Sequence, residues 1–112
     1  MEFSKLLEER RSIRKFDPEK KVTADQIKEI INAAIQAPSW KNSQTTRYYA
    51  VVTPEKIEAF SAACLPEFNQ KSAAGAALVV TTFVKDRSGF DQEGNPNNEV
   101  GNGWGYYDLG LH

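Results

Sequence analysis

Apolar residues recur at helical spacing twice in the first third of the chain and then give way to strand-like runs, and this change of period divides the sequence into its elements. Phe3, Leu6 and Leu7 fall at i, i+3 and i+4 and predict an amphipathic helix running to about Arg10. Asp17 to Lys21 form a polar connection containing Pro18. A second helix starts at Thr23, where Thr-Ala-Asp-Gln has the spacing of a capping box, and Ile27, Ile30, Ile31 and Ala34 give it one apolar face. Pro38 stops it, because proline disfavours the α conformation in the preceding Ala37 and has no amide proton to continue the ladder.

Arg47 to Val52 is short and rich in aromatic and β-branched residues, which predicts a strand. Thr53 and Pro54 then suit the N-cap and first position of a third helix, which carries Ile57 and Phe60 towards Cys64 and is closed by Pro66. Ala76 to Val84 is almost continuously apolar or β-branched and is expected to be a core strand buried on both faces. From Lys85 to Gly105 glycine and asparagine crowd one stretch, the texture of a long loop or lid. Trp104, Tyr106, Tyr107, Leu109 and Leu111 open another apolar element. Two strands cannot by themselves shield a sheet, so the expectation is one domain over residues 1–112, read as a truncated part of a larger fold completed by further chain or a partner subunit.

Composition narrows the chemistry. The 112 residues include 40% hydrophobic and 26% charged positions, and 14 Lys+Arg oppose 15 Asp+Glu for a formal charge of -1. No global field draws such a chain to nucleic acid or anionic lipid, so any anion site must be local. The apolar run from Ala73 to Val84 is shorter than the about 20 residues of a membrane span, and the charged N-terminus is unlike a signal peptide; the expected location is the cytoplasm. Cys64 and His112 are the sole cysteine and histidine. A Ser-His-Asp or Cys-His centre and a Cys- or His-based metal site are therefore not expected, and no catalytic or metal-ligating side chain is assigned.

Two segments remain that can carry chemistry. Arg10, Arg11, Ser12, Arg14 and Lys15 bring four cations and a hydroxyl together after the first helix, and guanidinium groups bind phosphate through paired charge-assisted hydrogen bonds. Cations there also complement a helix C-terminus, so composition alone leaves a solvated basic patch open. Pro38, Ser39, Trp40, Lys41, Asn42, Ser43 and Gln44 form a polar turn between helix and strand, with amides and hydroxyls suited either to the edge of a heterocycle or to an ordinary turn.

In this order and at this separation, RRSIRKF, VTADQIKEIINAA, APSWKNSQ and a hydrophobic strand resemble the nitroreductase family of FMN-dependent oxidoreductases. The likeness continues to YYDLGL, which is similar to the entry into that family's central helix. It implies an α+β fold of three layers, α/β/α, in which a central mixed sheet is flanked by helices. It also implies a homodimer with FMN at the subunit interface. NADH or NADPH would donate electrons, which pass by a ping-pong scheme to a small acceptor such as a nitroaromatic or quinone. The resemblance puts Arg10, Arg11 and Ser12 at the FMN phosphate and Arg14 near the pyrimidine edge. Pro38, Ser39, Trp40, Asn42 and Gln44 would reach the flavin from the neighbouring subunit, and Asn69 matches a position near the ring in some members. A cation beside N1 and C2=O favours the anionic reduced flavin, which suits Arg14. Many relatives carry Pro-Trp after the Asn-Ser-Gln stretch, where this chain has Thr45, Thr46 and Arg47. The competing expectation is a truncated, non-catalytic flavin-binding or dimerisation module.

Overall fold

The computed structural model describes residues 1–112 and contains five α-helices and one two-stranded antiparallel sheet. Helix α1 spans Phe3–Glu9 and α2 spans Ala24–Ala34. The Thr23 hydroxyl accepts from the Gln26 amide while Gln26 Oε1 accepts from the Thr23 amide, so the capping box read from sequence is formed. Ile27 is the residue α2 buries. Its neighbour Ile30 remains 63% exposed, so the apolar face is only partly covered.

A 3-10 turn at Trp40–Asn42 leads into strand β1, Thr46–Val51. Helix α3 covers Pro54–Cys64, with the Thr53 hydroxyl capping the Lys56 amide and Pro54 in the first turn, where its missing N–H costs nothing. The chain is extended at Leu65 as required before Pro66, and then forms a further helix, α4, over Glu67–Ala73. Strand β2 spans Leu78–Phe83 and pairs with β1 from Thr46↔Phe83 to Val51↔Leu78. Helix α5, Gly103–Leu111, packs on both strands and on the 3-10 turn.

The expectation that the second strand is buried on both faces is corrected. Leu78, Val80 and Phe83 are half-buried, but Val79, Thr81 and Thr82 are exposed. Two strands with one helix across them cannot cover both faces, so the apolar run of β2 outstrips the protein available to bury it. The sheet present is antiparallel, and the architecture established by these elements is α+β. Only eight of the 112 residues are buried. The accessible surface is 8894 Å², against about 6,200 Å² for a compact monomer of this mass. The radius of gyration is 16.9 Å, where a compact chain of this length has about 13 Å. No helix is long and apolar enough to cross a membrane.

The packed part of the molecule lies where α5 meets the sheet. Gly105 is buried because a Cβ there would stand 2.4 Å from the Phe83 ring, so only glycine lets α5 approach β2 this closely. Phe83 and Tyr106 stack edge to face at 4.6 Å. The stretch from Lys85 to Asn102 is a series of hydrogen-bonded turns. Asp86 and Asn102 are joined twice, through the Asp86 amide and through the Asn102 side-chain amide. Asp91 Oδ1 accepts from the amides of Glu93 and Asn95, and the Trp104 indole donates to Asn98.

Candidate functional site

The turn between α2 and β1 is the most strained backbone in the molecule. Lys41, Asn42 and Gln44 have φ of 46°, 53° and 52°, three of the four non-glycine residues with positive φ. Asparagine tolerates that region, but lysine and glutamine there each cost about 1–3 kcal/mol, which the surroundings must offset. Three local contacts fix the turn. The Gln44 amide donates to Ser39 Oγ at 3.0 Å, the Ser43 hydroxyl donates to the Trp40 carbonyl, and Lys41 Nζ lies 5.9 Å from the Trp40 ring centre.

Two contacts come from the far end of the chain. The Trp40 amide donates to both carboxylate oxygens of Asp108, at 3.1 and 3.0 Å, and the Trp40 ring packs 4.4 Å from that of Trp104. Asp108, only 2% exposed, also accepts the Ser88 hydroxyl at 2.6 Å. Ser88 in turn meets the buried Thr45 hydroxyl at 3.1 Å.

Folded in this way, the turn places Ser39, Asn42 and Gln44 on the wall of one cavity of about 270 Å³, with Ile35, Ala37, Thr46, Tyr48 and His112. The Tyr48 hydroxyl and His112 Nδ1 are hydrogen-bonded there, and burial lifts the Tyr48 phenol above its usual value of 10.0. Thr46 Oγ1 and the Trp40 indole N–H are buried without partners, leaving unused hydrogen-bonding capacity in and beside the turn. A larger cavity of about 550 Å³ lies between the residues preceding α2 and helices α3 and α4, but it contains none of the residues expected at a site. Alanines and a proline supply much of its wall, so the smaller cavity is the better candidate on chemistry.

The other expected residues are placed differently. Pro38 precedes the turn and is exposed, and Trp40 faces Trp104 rather than the cavity. Arg10, Arg11, Ser12 and Arg14 are exposed and none lines the cavity. Arg11 donates to the carbonyls of Glu8 and Arg10, and the one ion pair in the chain is Lys5 with Glu9, so the whole basic cluster is without acidic partners. Asn69 lies exposed on α4 and lines neither cavity. Tyr106 and Tyr107 are 68% and 62% exposed and Trp104 packs on Trp40, so none of these aromatics lines the small cavity.

Sequence reasoning overlooked Asp108, Ser88, Thr45, Tyr48 and His112. Asp108 carried a signal, as the single acid in the apolar segment WGYYDLGL, a residue expensive to bury unless it has donors to accept.

The antiparallel α+β unit thus carries a strained, polar-walled turn and, apart from it, an exposed basic segment. The sequence profile described as the nitroreductase family matches residues 7–100, and the chain belongs to that family. It is 34% identical over 83 residues to YdgI of Bacillus subtilis, a protein named for a provisional NAD(P)H nitroreductase activity; the match covers 74% of this chain and 39% of that protein. It is 35% identical over 71 residues to the CLA biosynthesis enone reductase of Lactiplantibacillus plantarum, covering 63% of this chain and 32% of the relative. The chain thus spans 39% and 32% of the length of these two relatives.

Proposed function

We propose that this chain forms part of an FMN-dependent oxidoreductase that takes electrons from NADH or NADPH and delivers them to a small electron-poor acceptor such as a nitroaromatic, quinone or enone. Family membership supports the reaction class, and the reductase names of both relatives point the same way. The observation that carries the reading to particular residues is the shared cavity of Ser39, Asn42 and Gln44 on a strained turn. Backbone strain of this kind persists where the surroundings over-determine it, typically at ligand sites.

The residues present fit a flavin mononucleotide. Arg10, Arg11 and Arg14, which have no acidic partners, suit with Ser12 a phosphate and the pyrimidine edge, and the side-chain amides of Asn42 and Gln44 and the hydroxyl of Ser39 suit the polar rim of the ring. When bound, the flavin supplies two-electron chemistry between donor and acceptor in alternating, ping-pong fashion. The chain's own residues bind and orient it, which explains why no nucleophile is assigned. Complete ligand pockets have volumes of about 300–1,000 Å³, so a cavity of about 270 Å³ suits one wall of a site that a second subunit closes. The homodimer is also supported by a surface about 2,700 Å² larger than a compact monomer would expose. In the complete family fold, a three-layer α/β/α arrangement around a mixed sheet would cover the open faces of β1 and β2, and a cytoplasmic location suits a nicotinamide donor.

Purified protein mixed with FMN and desalted is expected to keep a flavin spectrum and to oxidise NAD(P)H when a quinone is added. A non-catalytic flavin-binding or dimerisation module is the second reading, favoured by the small buried core. Retained flavin without turnover would select it, a colourless chain whose longer form becomes yellow would leave only the first reading, and flavin retained by neither would remove both.

A further inference from the structure

Asp108 is an unusual residue to find at the junction of α5, the 3-10 turn and the loop before α5. It is 2% exposed and lies within 4 Å of no cationic side chain, so no ion pair offsets the loss of its hydration. It also lies in the last turns of a helix, the end where a negative charge is least favoured. A carboxylate survives such a position only if hydrogen-bond donors compensate it, and here the donors are specific. The Trp40 amide is shared between its two oxygens, and the Ser88 hydroxyl donates to Oδ2. With that hydroxyl proton committed to Asp108, the bond between Thr45 and Ser88 must run from the Thr45 hydroxyl to Ser88 Oγ. The order of donation is then Thr45 to Ser88 to Asp108, with Trp40 donating from the other side.

The network closes on both ends of one segment. Trp40 stands at the start of the strained turn and Thr45 just beyond Gln44, so a single carboxylate holds the two ends across the three positive-φ residues. The geometry points to Asp108 as the positioning residue of the site, which fixes the turn so that Ser39, Asn42 and Gln44 present their polar groups to one cavity. It acts through Trp40 and Ser88 rather than by touching the ligand. This inference rests on the turn being the flavin-binding segment, and it adds a residue that neither the basic cluster nor the turn contains.

The test compares Asp108→Ala, Asp108→Asn and Ser88→Ala with the unaltered 112-residue chain. FMN affinity is read by quenching of flavin fluorescence, helix content by far-ultraviolet circular dichroism, and the Trp40–Trp104 pair by near-ultraviolet circular dichroism. Asp108→Ala is expected to lose at least tenfold in FMN affinity and most of the near-ultraviolet tryptophan signal while keeping its helices. Asp108→Asn keeps the shape and one acceptor and is expected to recover part of both, with Ser88→Ala falling between. Affinity and tryptophan signal unchanged in Asp108→Ala would overturn the assignment, as would Asn performing no better than Ala. If Asp108→Ala does not fold, a folded Ser88→Ala with unaltered affinity and signal overturns it alone. If neither the unaltered chain nor a longer form of it binds FMN, the flavin reading fails, and in either case the tryptophan signal of the variants decides the positioning role by itself.

Discussion

From Ser39 to His112 side chains find hydrogen-bond partners 16 to 68 residues away along the sequence, whereas from Met1 to Ala34 every side-chain hydrogen bond and the single ion pair stay within four residues. The two regions carry the two halves of the candidate site. The turn is held from outside itself, by Asp108 and Trp104, through contacts among the chain's own residues. The basic segment follows α1, a seven-residue helix with no buried residue, whose Phe3 and Leu7 are 73% and 63% exposed. Isolated helices of that length are marginal in water. Preformed geometry is therefore expected at the turn, and order induced by ligand or partner at the basic arm.

The largest effect should come from the packed region. Gly89 has φ of +85°, and a Cβ there would stand 2.3 Å from the Trp104 ring and 2.9 Å from the Gly101 carbonyl oxygen. Left-handed strain and overpacking add, so Gly89→Ala should lower stability by about 3 kcal/mol, seen as a drop of more than about 10 °C in the melting midpoint. A loss below about 1 kcal/mol would mean that the loop before α5 is not packed against Trp104 and that the two regions are more alike than described.

The basic arm should answer differently, in binding and not in stability. Replacing Arg10 and Arg14 together with alanine removes exposed, unpartnered guanidinium groups and should leave the melting curve unchanged. FMN affinity should fall about tenfold or more, equivalent to about 1.4 kcal/mol, as charge-assisted contacts are lost. Isothermal titration with FMN decides this, and equal affinity in the variant would detach the arm from the site.

What could be read from the sequence divides along the same line. The Thr23–Gln26 box, the Thr53–Pro54 helix start and both strands were legible because each is set by residues a few positions apart. Helix α4 escaped because Pro66 reads as a terminator of α3, although proline serves equally well at the start of the next helix. The one-sided burial of β2 escaped because an apolar run reports what a strand could bury and not what is there to cover it. At the site, the turn was legible from its polar composition, whereas the bond from Trp40 to Asp108 spans 68 residues and leaves no periodic trace.

Two smaller effects test the arm itself. Thr23→Ala removes the hydroxyl that caps the Gln26 amide and should cost about 1 kcal/mol, visible as lost helix signal with no change around Trp40. Leu7→Ser should change the stability of the separated chain by less than about 0.5 kcal/mol, because that side chain is exposed. If a second copy covers α1, the same variant should shift sedimentation from dimer towards monomer. A loss of monomer stability instead would show that Leu7 packs within its own chain.

The smallest effect lies at the cavity and at high pH. Burial raises the Tyr48 phenol above 10.0, so its neutral form is favoured by folding. The stabilisation is complete below the unfolded value of about 10 and is lost as pH rises through the higher folded value, where the native state must ionise a desolvated hydroxyl. Its bond to His112 breaks with the same proton, if the phenol is the donor, and that bond ties the cavity to the end of α5. Melting midpoints measured from pH 9 upwards should therefore fall for the unaltered chain by slightly more than for Tyr48→Phe. Identical slopes in the two proteins would mean that Tyr48 is as open to water as the residues of the amino-terminal arm, and the contrast between the two regions would then stop short of the cavity.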